Sequence, residues 1–218
     1  MKSDMQLQVD VIDELKWEPA TRSAEIGVAA RDGVVTLSGP VRSYAQKHAA
    51  VRAAERVAGV RAVADETEVE LPGEHKRTDT DIAHAAVNAL RWDIEVPNDT
   101  IKLAVDDGWV TLEGEVEWQY QKTAAERDVR YLTGVTGIDN KIAIKPQHVS
   151  AYDVSQRIKD ALRRNAELEA EQITVEAKDG KVTLRGRVRS WSERRDAQRA
   201  AWGAPGVSSV SDEITVGA

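Results

Sequence analysis

Apolar side chains recur at every fourth position in three separate stretches: Leu7, Val11, Leu15; Ile82, Ala86, Leu90; and Val154, Ile158, Leu162. That spacing places each set on one face of an α-helix. After each stretch the period changes to two. Ile26, Val28 and Ala30 alternate with polar or small residues, as do Ile101, Leu103, Val105 and Ile173, Val175, Ala177, which predicts a half-buried strand each time. An Asp-Gly dipeptide follows at once, and its ease at positive φ suits a two-residue type I′ hairpin. The returning strand turns Val35, Leu37, Val41, then Val110, Leu112, Val116, then Val182, Leu184, Val188 to one face. A second helix comes next, then a Gly-Val pair, then a last strand carrying Thr67, Val69, Leu71, or Ile142, Ile144, or Ile214, Val216.

The pattern is one unit written three times. Asp32-Gly33-Val34-Val35-Thr36-Leu37-Ser38-Gly39 recurs 75 residues later from Asp107 and another 72 later from Asp179. Each unit reads helix–strand–strand–helix–strand, so the fold class is α+β: three tandem αββαβ units at 1–71, 76–146 and 150–218. Nine glycines hold matching positions. Gly33, Gly108 and Gly180 sit in the hairpins. Gly39, Gly114 and Gly186 fall on the inward face of strand two, where a missing Cβ admits a packing helix or a bulge. Gly59, Gly134 and Gly206 precede the last strands; the first two are expected as left-handed C′ stops of a Schellman ending, with Gly203 and Pro205 ending the third helix. Ser43-x-x-Gln46 and Ser190-x-x-Glu193 have capping-box spacing, which the middle unit lacks. The junctions at 72–77 and 145–149 are short.

An Asp-Gly-x-Val-Thr-Leu-x-Gly hairpin, a Ser-led alanine-rich helix and a Gly-Val before a terminal strand resemble the BON domain, named for bacterial osmotically inducible and nodulation proteins. The resemblance covers essentially the whole chain. It implies a mixed three-stranded sheet with both helices on one face in each unit. For function it implies association with envelope stress and osmotic protection, and binding of phospholipid or other anionic surfaces. Many members are periplasmic or lipidated and carry two copies. The resemblance supplies no catalytic residue.

Composition narrows the chemistry. The 218 residues contain no cysteine, which excludes disulfides, thiolate catalysis and cysteine-ligated metals. No apolar run approaches the ~18 residues that would span a bilayer. The start, Met1 to Leu7, lacks the apolar core of a signal peptide, so a cytoplasmic location is expected. A net charge of −7 argues against nucleic acid as a partner. His48, His75, His84 and His148 sit at unrelated places in the units, with no metal-ligand spacing. No nucleophile elbow or phosphate-binding glycine loop appears. Asp32, Asp107 and Asp179 repeat, but the hairpin accounts for them. The expectation is therefore a non-enzymatic protein without cofactor or metal.

Aromatic and charged positions differ between the units. Trp17 and Trp92 follow the first helices, where helix-end packing is expected, and Trp118, Tyr120, Tyr44 and Trp191 gather at the entry to helix two. Trp109 points by alternation away from the helices, as an interface residue or one covered by another repeat. Outward on strand two stand Ser38, Pro40, Arg42 in the first unit, Glu113, Glu115, Glu117 in the second and Arg185, Arg187, Arg189 in the third. The first two units carry −4 each and the third +1, with Arg194, Arg195 and Arg199 on its second helix. Two functions follow. In the first, Arg185, Arg187, Arg189, Arg194 and Arg195 bind anionic phospholipid headgroups or another anionic surface in a stress-associated role. In the second, the protein is a self-associating scaffold, a homo-oligomer using Trp109, Glu113, Glu115 and Glu117 against the arginine stripe.

Overall fold

The structure, a computed structural model, describes residues 2–22, 24–145, 150–164 and 173–217. The junction residues 146–149, His148 among them, lie outside the described residues. The first repeat runs α1 (Asp4–Trp17), β1 (Gly27–Arg31), β2 (Val34–Val41), α2 (Tyr44–Arg56), β3 (Ala62–Val69). The second runs α3 (Asp79–Trp92), β4 (Ile101–Asp106), β5 (Trp109–Val116), α4 (Gln119–Arg130), β6 (Gly137–Asn140), β7 (Ala143–Ile144). The third runs α5 (Ala151–Arg164), β8 (Ile173–Lys178), β9 (Lys181–Val188), α6 (Trp191–Trp202), β10 (Ser209–Val216). The chain divides into two compact units, Met1–Ile94 with Lys102–Glu113 and Ala125–Lys141, and Glu95–Ile101 with Gly114–Ala124 and Ile142–Ala218.

In every repeat the second strand is central. It pairs antiparallel with the first strand and parallel with the last in the first and third repeats, Leu37 opposing Val28 and Asp65, and Leu184 opposing Val175 and Asp212. The parallel register is identical in all three: Val34 opposes Ala62, Trp109 opposes Gly137 and Lys181 opposes Ser209. In the second repeat the last strand lapses at Lys141 and Ile142, yet its register is unchanged when pairing resumes at Ala143 opposite Glu115. Leu7, Val11 and Leu15 of α1 and Ala50, Ala53 and Ala54 of α2 form one core with Val35 and Leu37. The third repeat builds the same core from Val154, Ile158, Leu162, Ala197 and Ala201 against Val182 and Leu184. Both helices thus cover one sheet face and leave the other open.

All nine glycines take positive φ, from 76° at Gly108 and Gly180 to 143° at Gly186. Asp32, Asp107 and Asp179 also have positive φ, 51°, 48° and 48°, giving the two left-handed positions of a type I′ turn. Each hairpin carbonyl then accepts an N–H from the start of the last strand: Arg61 to Gly33 (2.7 Å), Thr136 to Gly108 (2.9 Å) and Ser208 to Gly180 (2.7 Å).

Two local expectations are corrected. Gly59 and Gly134 do not sit at C′. The helices end earlier, and each glycine is the third residue of a tight turn closed by Val60 N–H to Val57 O (3.2 Å) and Val135 N–H to Leu132 O (3.3 Å). Gly39 and Gly114 are approached by backbone rather than by a helix: a Cβ at Gly39 would lie 2.8 Å from the Glu25 carbonyl, and one at Gly114 would overlap that of Thr100. The chain entering strand one passes too close for any side chain.

Helix two is fixed at its entry. Ser43 and Ser190 accept the N–H of Gln46 and Glu193, while those side chains reach back to the N–H of Arg42 (2.8 Å) and Arg189 (2.9 Å). The second repeat, without the serine, keeps the return half: Gln121 accepts the N–H of Glu117 and Trp118. A cation one residue further on clasps the last strand, or in the second repeat the gap between its two halves. Lys47 reaches Thr67 and Asp65, Lys122 the Ile142 carbonyl (2.7 Å), and Arg194 the Asp212 carboxylate (2.6 Å).

Candidate functional site

Alternation along β9 places Arg185 and Arg187 on the open face, with partners supplied by the flanking strands. Arg185 faces Thr174 on β8 and Glu213 on β10. Its guanidinium donates to Glu213 (2.8 Å) and to Glu176 (2.6 Å), and these two carboxylates hold its pKa above the ordinary arginine value. Arg187 Nε donates to the Gly217 carbonyl (3.2 Å). Arg189 pairs with Glu193 (3.1 Å), the residue that also caps α6. Arg194 stacks on Trp191, 4.9 Å from the ring centre, and its carboxylate partner Asp212 also accepts from Gln198 (2.5 Å). Arg195 is half-buried on the same helix, and Arg199 pairs with Asp196 (2.5 Å). The stripe is a ladder of ion pairs at Arg185 and Arg189, with Arg187 between them held to a backbone carbonyl.

On the second repeat Trp109 is half-exposed, and its ring lies over Gly137, its partner across the parallel ladder. The ring covers backbone that an edge-strand glycine leaves bare. Glu113, Glu115 and Glu117 are exposed, and Glu115 pairs with Lys145. The packing expected of Trp17 and Trp92 is not found: they are 82% and 84% exposed because both are last residues of helices whose buried stripes end at Leu15 and Leu90.

The sequence reading missed a cluster beside Trp92. Asp93, the C-cap of α3, and Asp128 of α4 share one guanidinium: Arg127 binds Asp93 and lies 3.3 Å from Asp128. Asp128 Oδ2 is buried and accepts no hydrogen bond, and burial, then the neighbouring Asp93, pushes its pKa up. Ala89, Trp92, Asp93, Ile94 and Asp128 line an open cleft of about 440 Å³. A sequence signal was available in the Trp-Asp-Ile run at a helix end, where a carboxylate opposes the helix dipole unless a cation answers it. Among the described residues, no three His, Asp or Glu side chains converge to hold a metal ion, and no helix is long and apolar enough to cross a membrane.

Helix α2 carries a second titratable group, half-buried. His48 has its pKa lowered to about 4 by burial, then by Arg130 and Arg52, against the opposing pull of Glu126. Tyr44, one turn earlier, is pushed up by burial and then Glu126. Arg130 and Glu126 are themselves paired within α4 (2.6 Å), and the charges of both act on His48 and Tyr44.

Comparison with known proteins accounts for the repetition. Osmotically-inducible protein Y of Escherichia coli (strain K12) is 34% identical over 128 residues, 57% of this chain and 64% of that protein's length. Two structures of CdsD, a structural protein of the Type III secretion system of Chlamydia trachomatis, align over 97% of this chain and 92% and 99% of theirs. Their identities are 16% and 14% and their TM-scores 0.27 and 0.28, too low to bear on fold or function. The BON domain matches residues 3–70, 78–146 and 152–218, nearly the whole chain, and the protein belongs to the BON-domain family.

Proposed function

We propose that this chain is a non-enzymatic interaction protein associated with osmotic stress, and that the open sheet faces of its repeats are its contact surfaces. The stress association rests on its likeness to an osmotically inducible protein. The assignment to the open faces rests on one observation: inward residues match from repeat to repeat, while the outward positions carry Ser38, Glu113 and Arg185 at equivalent places. Packing fixes the inner face. The outer one is free to differ.

A second reading, binding of anionic phospholipid headgroups or another anionic surface by the third repeat, draws support from Arg185 and Arg187 lying on one exposed face. Against it, Arg185 already holds two carboxylates, and Arg189 and Arg194 hold one each. A headgroup would have to displace those partners, losing much of the ~1 kcal/mol that a free surface cation gains near anionic lipid.

Light scattering with and without vesicles separates the two. The interaction reading expects mass to rise with protein concentration in the absence of lipid, and no cosedimentation with phosphatidylglycerol vesicles at physiological salt. Salt-sensitive cosedimentation with those vesicles but not with phosphatidylcholine, at constant lipid-free mass, overturns it in favour of the headgroup reading.

A further inference from the structure

The open face of the first repeat is unlike the other two. Its rows, read across β1, β2 and β3, are Arg31–Val34–Ala62, Ala29–Thr36–Ala64 and Gly27–Ser38–Glu66, with Pro40 opposite Glu68 beyond them. The centre holds small, uncharged side chains, and Ala29, Val34 and Ala62 are exposed. The corresponding row in the third repeat, Glu176–Thr183–Ser211, is bordered by Lys178–Lys181–Ser209 on one side and the Arg185 ion pairs on the other.

Charge on the first face is confined to its two ends, and the ends have opposite sign. Arg31 marks the hairpin end, its nearest carboxylate, Asp32, standing 3.9 Å away with both side chains almost fully exposed. Arg61, also exposed, lies beside it with its stem over Gly33. At the other end stand Glu66, Glu68 and, two residues before Gly27 in the same alternation, Glu25, all exposed. With Asp32 and Arg42 included, the hairpin end carries +1 and the opposite end −2.

A surface antisymmetric in charge along its strands is complementary to itself. A two-fold axis lying between two such sheets, across the strands, sets β1 antiparallel over its own copy. Arg31 of each copy then stands over Glu25 of the other, and the Ala29–Thr36–Ala64 row of each lies over the Gly27–Ser38–Glu66 row of its partner, the same contact made twice as an isologous interface requires. We infer that a second copy of this chain docks on the open face of the first repeat, sheet against sheet, in a two-fold dimer. This rests on the interaction reading above and names its partner. Three strands ~4.8 Å apart and five to eight residues at ~3.3 Å give a face of roughly 300 Å² per copy. Stable interfaces need about 800 Å² per partner, so the dimer is weak and exchanges rapidly.

Sedimentation equilibrium of the full chain from ~10 µM to ~1 mM tests it, with a dissociation constant on the order of 100 µM or weaker expected. Thr36→Arg, which puts a charge at the half-exposed centre of the face, lowers the association at least ~10-fold. Arg31→Glu and Glu25→Arg each weaken it, and the double swap restores it. Lys16→Gln, on the first helix of the same repeat and away from the sheet face, leaves it unchanged. A wild-type chain that stays monomeric up to ~1 mM overturns the inference. Association that persists in Thr36→Arg, or that the double swap fails to restore, also overturns it. Persistence in Thr36→Arg leaves the broader interaction reading standing on another surface, whereas headgroup binding at constant mass removes both.

Discussion

Ser38 in the first repeat and Arg185 in the third occupy the same place on the same strand, each opposite a glutamate, Glu66 or Glu213. In the third repeat the arginine completes the site: two carboxylates flank it and the face is closed by ion pairs. In the first the serine leaves Glu66 without a partner and the row neutral but for that charge. The backbone beneath is the same, with the same register, hairpin and glycine. Repetition therefore reports what the fold requires, and the places where repetition fails report where the fold is indifferent and another pressure can act.

The comparison breaks first if the inner face is less uniform than it looks. Leu37, Leu112 and Leu184 are equivalent and fully buried. Replacing any of them with alanine leaves a cavity, and a loss of about 2–5 kcal/mol is expected at each site. Urea unfolding monitored by circular dichroism checks this, and a cost below ~1 kcal/mol at one of the three sites would show that its core closes up where the others cannot.

A smaller loss is expected where the repeats share a backbone shape. Gly134 has φ 99°, and a Cβ there would lie 2.9 Å from Arg77 Cβ and from Ile82 Cδ1. Gly134→Val combines that crowding with a β-branched residue at positive φ, and about 1–3 kcal/mol is expected from the strain alone. Gly134→Ala isolates the branch, since it keeps both the crowded Cβ and the positive φ. Equal thermal stability of the Val and wild-type chains would mean that this turn rearranges freely.

Much of this was legible in the sequence, and the boundary of legibility has a physical cause. Leu7, Val11 and Leu15, or Asp32 and Gly33, announce themselves because local periodicity and local φ preference decide their roles. The turn around Gly59 was misplaced by one or two residues because a positive φ is common to a C′ stop and to the third position of a tight turn. The exposure of Trp17 and Trp92 ran against composition, since size and apolarity suggest burial while the helix phase does not supply it. Partners separated by tens of residues, such as Arg185 with Glu213 or Arg127 with Asp93, were invisible because only the strand register and helix packing bring them together.

The two second helices sharpen the contrast further. His48 on α2 corresponds to Arg195 on α6, a titratable group against a permanent cation. The histidine pKa falls from 6.5 to about 4 on folding, so it is neutral in the folded chain over a range in which the unfolded chain takes up a proton. Its contribution is complete above pH ~6.5 and is lost progressively as pH falls towards ~4, by on the order of 1–2 kcal/mol after allowance for partial exposure. His48→Gln keeps a polar side chain but cannot titrate. The difference between wild-type and variant stability is expected to slope between those pH values and to be flat above them, as denaturant midpoints at half-unit pH steps would reveal.

The smallest effect is expected at Arg185 itself, and its size decides what the ion-pair ladder is for. The arginine is about half-exposed and both carboxylates are more than two-fifths exposed. Exposed pairs of this kind gain little against solvent screening, so Arg185→Gln is expected to leave the melting temperature nearly unchanged. Arg185→Glu differs in kind, because it sets a third carboxylate between Glu176 and Glu213, and like charges opposite one another on neighbouring strands repel. The glutamate variant should therefore be less stable than the glutamine variant, with the gap closing as salt shortens the screening length from ~10 Å at 0.1 M to ~3 Å at 1 M. The same substitution in the first repeat, Ser38→Glu, sets a carboxylate opposite Glu66 at the end of the face that also carries Glu25 and Glu68, and should lose stability in the same salt-dependent way. Thermal melts of these variants at low and high salt provide the measurement. If Arg185→Gln matches wild type and only the glutamate variants respond to salt, the ladder guards the face against repulsion from its own acids. If Arg185→Gln alone lowers the melting temperature as far as the glutamate variants do, the ladder is part of the third repeat's stability, and the outer face is not as free as the comparison of the repeats implies.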